Sequence, residues 1–321
     1  MTQILEVKKL KKYYPIKKIG RRSYVKAVDN ISFSVRRGKI LGILGESGCG
    51  KSTLGRVITR LEMENGGDIF FLGNNISGIN YRKIKDFRQK MQVIFQNPYD
   101  SFDPRRAIIK SLEIPMKLLN IGQNRRNRIE IIMDAMERAK LTPAYDYLER
   151  YPHELSGGQL QRISMLRSML LKPNFLVADE CVSMLDVSVR AEVLNMLLQF
   201  RSELETSILF ITHDISVAKY MCDRIMVIYA GKVMEIADAK ELISNPMHPY
   251  TKALISYSPI ISPQREKDRF TITGEVVTPI DPPAGCRFAS RCPFAKEICY
   301  TEDPEMTEIS PGHFAACHLI D

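Results

Sequence analysis

The sequence predicts an α/β fold: a largely parallel sheet wrapped in helices, with a mostly helical insert and a small cysteine-rich extension at the C-terminal end. Three observations carry this. The apolar run Ile40–Leu44 ends in the glycine-rich stretch Gly45-Glu46-Ser47-Gly48-Cys49-Gly50-Lys51-Ser52-Thr53, the order of a strand, a loop and a helix. Three later runs, Phe175–Asp179, Ser207–Ile211 and Arg224–Tyr229, read as strands alternating with helical patterns. Beyond about residue 240 the composition turns to proline and cysteine.

Taken in order, residues 4–7 and 31–35 read as short strands joined through the basic stretch Lys17-Lys18-Ile19-Gly20-Arg21-Arg22. A helix is expected over Ser52–Leu61. Residues from about 105 to 150 change character: Ile129, Ile132, Met133 and Met136 recur at helical spacing, and a helical subdomain is placed at about 105–165. Val189, Val193, Met196, Leu197, Phe200 and Leu204 give a later helix its apolar face. In the tail come Pro246, Pro249, Pro259, Pro263, Pro279, Pro282, Pro283 and Pro293, with four of the seven cysteines. The division expected is a main domain over 1–240 and an extension over 241–321.

With 321 residues and 45% hydrophobic content, the chain has material for a real core. No apolar run approaches the ~20 residues that span a bilayer, and the start lacks a signal-peptide pattern. A cytoplasmic protein is expected, peripheral if it serves a membrane process. The net charge of +9 suits nucleic acid, anionic lipid or nucleotide phosphates, and equally a solvated basic surface. An odd number of cysteines in such a compartment argues against disulfides.

Glycine belongs where backbone amides must approach phosphate oxygens closely. Gly45, Gly48 and Gly50 supply that freedom, and the amides around Glu46–Lys51 form an anion nest at a helix start. Lys51 adds a full positive charge for β- and γ-phosphates, and Ser52 a hydroxyl for magnesium. Asp179 and Glu180 follow four apolar strand residues. Carboxylates at the C-terminal edge of a parallel sheet face the ligand crevice. There Asp179 would order magnesium through its waters, and Glu180 would polarise an attacking water. The bland alternative is a surface acidic pair. A lone histidine is more often structural than catalytic, but His213 closes the strand Ser207–Ile211, with Thr212 between, next to the same crevice, where it can contact a γ-phosphate. Gln96, in Phe95-Gln96-Asn97-Pro98, reads on its own as a turn residue.

At Leu155-Ser156-Gly157-Gly158-Gln159 the chain resembles the ATP-binding subunits of ABC transporters, over about residues 4–321. The resemblance implies a phosphate-loop core, an antiparallel β subdomain and the helical insert, where the permease's coupling helix is received. It implies two such subunits head to tail with ATP between them. Ser156, Gly157, Gly158 and Gln159 of one chain then face the ATP held by the other, as a helix start suits an anion. Gln96 becomes the sensor of the γ-phosphate and magnesium. Asp186, in Ser183-Met184-Leu185-Asp186, belongs to the segment that crosses the dimer interface. Tyr14 matches the aromatic that stacks on adenine, with Tyr13 an alternative.

A narrower resemblance is to oligopeptide and dipeptide importers. It rests on the loop with its ending Thr53-Leu54-Gly55-Arg56, on Asp103-Pro104-Arg105, Tyr151-Pro152-His153-Glu154 and His248-Pro249-Tyr250-Thr251. The loop ending is similar to the second of two paired ATPases, the F-type subunit. This implies a heterodimer on two permease subunits, fed by an extracytoplasmic binding protein, at the cytoplasmic face of the membrane. Two positions depart from the pattern: Cys181 stands where proline is common, and Met184 where alanine is common.

Cys286, Cys292, Cys299 and Cys317 are spaced C-x5-C-x6-C-x17-C, whereas Cys49, Cys181 and Cys222 show no pattern. Four thiols in a cytoplasmic tail suggest a metal site. The short knuckles that zinc favours are absent, four thiolates suit an iron–sulfur cluster, and free thiols or disulfides remain open. The segment from Gly285 to Phe294, with Ala316-Cys317-His318, resembles the importer module that binds a 4Fe–4S cluster. A nucleic-acid ATPase is the main rival reading. Chromosome and repair types insert a long coiled coil between loop and signature, for which Lys51 and Ser156 are too close, and translation types carry two cassettes. A vestigial ATPase serving as a redox sensor is opposed by the intact Asp179, Glu180 and His213. Cargo is not encoded in this chain.

Overall fold

Two long strands, β1 (Gln3–Lys18) and β2 (Arg21–Arg36), pair antiparallel near the N-terminus. The apolar positions predicted only short pieces of them. The ladder runs on through polar and basic pairs such as Lys11↔Asp29 and Lys17↔Arg22. Register shifts between Val7 and Leu10 and between Lys12 and Tyr13 break the period-two pattern that would have revealed it. The computed structural model describes residues 2–18, 21–79, 85–257, 272 and 274–320. Ile19 and Gly20 of the basic stretch lie outside the described residues, as do Pro259 and Pro263. The chain divides into two units, Met1–Ile79 with Leu209–Asp321, and Asn80–Ile208.

In the first unit, β3 (Ile40–Leu44) is buried along its whole length and feeds α1 (Lys51–Ile58), a helix shorter than expected. β4 (Gly66–Phe71) pairs with β1, and β5 (Asn74–Asn75) with β4. They complete an antiparallel sheet ordered β2-β1-β4-β5.

The second unit opens with α2 (Lys85–Lys90) and β6 (Met91–Ile94). Then come α3 (Ile108–Leu118), α4 (Arg125–Arg138) and α5 (Tyr145–Leu148). Asn124 caps α4, and Ile132 and Met136 are its buried stripe. α6 (Gly157–Met169) is followed by β7 (Phe175–Asp179), five buried residues that pair in parallel with β6 from Met91↔Phe175 to Ile94↔Ala178. α7 (Val187–Leu204) buries Val193, Leu194, Met196, Leu197 and Phe200; Val189 and Leu204 are only half-buried.

The unit boundary falls within β8 (Ser207–Thr212). In the first unit follow α8 (Ile215–Met221), β9 (Arg224–Tyr229), β10 (Lys232–Asp238), α9 (Ala239–Ser244) and α10 (Pro249–Ser256). The tail adds α11 (Glu297–Thr301), β11 (Thr307–Ser310) and β12 (His313–Ala315). The strand order is β11-β12-β10-β9-β3-β8. β3 and β9 are parallel, while β10 and β12 join antiparallel. The extension thus lengthens this unit's sheet. His313 Nε2 stands 2.7 Å from Glu235 Oε1 of β10, and both side chains are buried.

Candidate active site

The loop after β3 has the geometry of an anion cradle. Gly50 caps α1 at φ 101°, in a backbone region that L side chains avoid, and a β-carbon there would lie 2.0 Å from the Ala27 carbonyl oxygen. Gly48 also has positive φ, 78°, but faces open space. Lys51 is 4% exposed, and its Nζ donates to the carbonyls of Gly45 and Glu46, each at 2.8 Å. Ser52 and Thr53 are half-buried in the first turn of α1, and Cys49 is buried behind the loop. Ser47 lies in the turn between Glu46 and Gly48. The Glu46 amide donates to the Tyr250 hydroxyl at 3.0 Å, so this amide is already engaged.

Tyr13 and Tyr14 are sorted by their partners. The Tyr13 hydroxyl donates to Asp29 at 2.5 Å, and burial with this bond pushes its pKa up. The Tyr14 hydroxyl donates to Glu62, just beyond α1, and interacts with Thr53 of the loop helix. The Lys12 ammonium lies 5.0 Å from the Tyr14 ring centre. Of the two, Tyr14 stands beside the loop helix.

Within the second unit, the parallel register of β6 and β7 brings Gln96 to the acidic pair. Gln96 Nε2 lies 3.2 Å from Glu180 Oε2 and 3.4 Å from Ser183 Oγ. Asp179 is the buried last residue of β7, while Glu180 is half-buried at φ 45°. The turn is closed by Ser183, whose amide and hydroxyl both donate to the Glu180 carbonyl, at 3.0 and 2.9 Å. Cys181 is buried, and desolvation pushes its thiol up to about 12. Met184 is exposed.

Ser156 is the N-cap of α6. Its Oγ accepts from the Gln159 amide at 3.3 Å, and its own amide donates to Gln159 Oε1 at 3.0 Å, a reciprocal capping box. Ser156 and Gly157 are exposed, so the positive end of a 13-residue helix is open. Asp186 caps α7 without using its side chain for the cap and is exposed. His213 is exposed between β8 and α8, and the next residue, Asp214, caps α8 by accepting from Ser216 and Val217.

The tail brings its cysteines together. Cys286, Cys292, Cys299 and Cys317 line one small cavity with His248 and Phe288. Burial pushes the Cys286 thiol up to about 11, and the facing Cys317, Cys299 and Cys292 add to this. None of the seven cysteines is in a disulfide. The donor set is four soft thiols, which suits iron–sulfur or zinc chemistry and not a hard ion. Among the described residues, no group of three or more His, Cys, Asp or Glu is arranged to hold a metal ion.

This module is fastened to the phosphate loop. Arg291 reaches Glu46, and Arg287 pairs with the same Asp29 that Tyr13 bonds. Phe288 packs edge-on to Tyr229 and tilted against Tyr250. Sequence reasoning missed Arg287, Arg291 and Tyr250. The arginines stand within the cysteine segment, with no local pattern to distinguish them from surface charges.

An ABC transporter family model matches residues 28–183, and one described as the oligopeptide/dipeptide transporter C-terminal region matches residues 234–299. The chain is 43% identical to the putative oligopeptide transport ATP-binding protein YkfD of Bacillus subtilis, over 98% of this chain and 95% of that protein. It is also 43% identical to the dipeptide transport ATP-binding protein DppF of Haemophilus influenzae, over 100% and 98%. Among solved structures, cbiO1 of Clostridium perfringens, part of an ABC transporter complex, matches with a TM-score of 0.64 at 24% identity, over 76% of this chain and 92% of that one. The dimeric bacterial ABC transporter cassette MJ0796 matches at 0.64 and 23%, over 73% and 98%. These two likenesses show the fold. The chain belongs to the ATP-binding proteins of ABC transporters, in the group that carries the oligopeptide/dipeptide transporter C-terminal region.

Proposed function

We propose that this chain is the ATP-hydrolysing motor of an importer for oligopeptides or dipeptides. It would work as one of two unlike ATPases on the cytoplasmic face of two permease subunits, with an extracytoplasmic binding protein supplying cargo. The observation that carries this reading is the 43% identity to peptide transport ATP-binding proteins along the entire chain, loop and extension together. No described helix is long and apolar enough to cross a membrane, so attachment falls to the permeases. Residues 1–240 form the ATPase domain on this reading, with the helical part at about 105–165, and 241–321 the extension.

The residues divide the work as follows. Tyr14 stacks on adenine. The loop from Gly45 to Thr53 and Lys51 hold the phosphates. Ser52 and Gln96 would hold Mg2+, with Asp179 acting through its waters, and the ion would supply charge neutralisation to the phosphates. Glu180 takes a proton from the attacking water, oriented by its bond to Gln96, and His213 contacts the γ-phosphate. Ser156, Gly157, Gly158 and Gln159 present the open helix start to the partner's ATP, and Asp186 lies on the segment that meets the partner. Cys286, Cys292, Cys299 and Cys317 would hold a 4Fe–4S cluster, supported by their convergence on one cavity. Its bound form would supply cross-links to a small module with little core of its own.

The test is reconstitution in vesicles with candidate permease subunits and a second ATPase. Peptide-stimulated ATP hydrolysis and peptide uptake are expected together. Stimulation by nickel or a sugar in place of peptide would overturn the cargo assignment, and absence of hydrolysis would overturn the motor.

A further inference from the structure

One charged pair stands on the phosphate loop itself and is not used by the chemistry above. Glu46 is the second residue of a loop built to attract anions, and its carboxylate opposes a bound phosphate. Arg291 answers it. Its Nη1 lies 3.0 Å from Glu46 Oε1 and its Nη2 3.3 Å from Oε2, a two-point contact. Only 8% of the Arg291 side chain is exposed, so solvent screens the pair weakly on that side. The guanidinium is held in turn by Tyr229: its Nη1 is 3.3 Å from the hydroxyl, and its carbon 5.6 Å from the ring centre.

Arg291 does not come from the nucleotide-binding segments. It ends the short 3-10 turn Ala289–Arg291, with Cys286 upstream and Cys292 next in sequence. The Cys292 amide closes the turn on the Ala289 carbonyl at 3.2 Å. A second hold comes from α10, where the Tyr250 hydroxyl accepts from the Glu46 amide. The position of Glu46 is therefore set from the tail at both its backbone and its side chain.

We infer that Arg291 is a positioning residue of the nucleotide site: it neutralises Glu46 and pins the loop, so that affinity for MgATP depends on an intact cysteine module. This rests on reading the loop as the ATP site. The backbone amides and Lys51 attract the phosphates; Arg291 removes the charge that would oppose them. Disturbing the turn between Cys286 and Cys292 withdraws the guanidinium and weakens ATP binding without altering any residue that touches nucleotide.

The test is MgATP binding to the full-length chain by titration calorimetry. Arg291→Gln is expected to weaken binding about tenfold. Adding Glu46→Gln to that variant is expected to recover most of the loss, because the carboxylate left without a partner is gone. A merely structural role for Arg291 leaves the double variant as weak as the single one, and that result overturns the inference, as does unchanged binding by Arg291→Gln. If Arg291→Gln gives no folded protein, the same pair of measurements is made with Arg291→Met, which keeps an apolar stem at this buried position without the charge. An unmodified chain that does not bind MgATP would overturn the nucleotide reading itself.

Discussion

Gln96 and Glu180 meet at the ends of neighbouring parallel strands, amide nitrogen to carboxylate oxygen at 3.2 Å. The contact fixes the carboxylate in one orientation while leaving its other oxygen free of Gln96. Glu180→Gln is expected to bind MgATP normally and to lose about 10²–10⁴-fold in turnover. Steady-state hydrolysis with the partner subunit present checks this. Near-normal turnover would remove Glu180 from the role of base.

The open start of α6 gives a second prediction. Ser156→Arg removes the capping oxygen and places a bulky cation where the partner's nucleotide would dock. Binding of MgATP to the variant's own loop should change little, while hydrolysis by the assembled pair should fall by at least about tenfold. Loss of binding by the isolated variant would make Ser156 a structural residue of its own chain.

Tyr13 and Tyr14 should separate cleanly. Tyr14→Ala is expected to weaken MgATP binding by about 1–3 kcal/mol, the range found when an aromatic under a base is removed. Tyr13→Ala should act on stability instead, because it removes the hydroxyl that donates to the half-buried Asp29. Calorimetric titration and thermal melting of the two variants form the comparison, and the reverse pattern would move the adenine contact to Tyr13.

The two positive-φ glycines of the loop also differ. Gly48→Ala meets open space and should cost only the left-handed backbone term, about 1–2 kcal/mol. Gly50→Ala drives a methyl into the Ala27 carbonyl at 2.0 Å and should abolish nucleotide binding or soluble expression. Equal melting temperatures for the two would show that the loop yields more readily than its packing implies.

For the tail, anaerobically purified protein is expected to be brown, with about four irons per chain. Cys292→Ser should bleach it and expose residues beyond about 280 to protease. A colourless preparation with one zinc per chain would replace the cluster, and one with no metal and a protease-resistant tail would remove any metal role.

The motifs proposed for the site were legible in the sequence, and the contacts that hold them were not. The loop, the Asp179-Glu180 pair and the segment at Ser156 are contiguous motifs, and their strands and helices begin where the apolar runs place them. The length of the β1–β2 hairpin was hidden, because bulges scramble its alternation and much of its ladder joins basic residues. The Arg291–Glu46 contact spans 245 residues, so no local pattern announces it. The same holds for Glu235, an acidic residue in a strand whose full burial is explicable only once His313 and the amides of Met247 and His248 are placed beside it.

That buried acid has a consequence for the life of the protein in the cell. Glu235 accepts from the amides of Met247 and His248, both at 2.9 Å, and faces His313 from the final hairpin. The hairpin also occupies the outer side of β10, which would otherwise present bare amides and carbonyls to any passing chain. A copy lost to a nick before residue 307 would acquire a sticky sheet edge and a buried carboxyl group short of one partner. Such a fragment should be drawn into aggregates or cleared by proteolysis, so β11 and β12 guard the edge of β10.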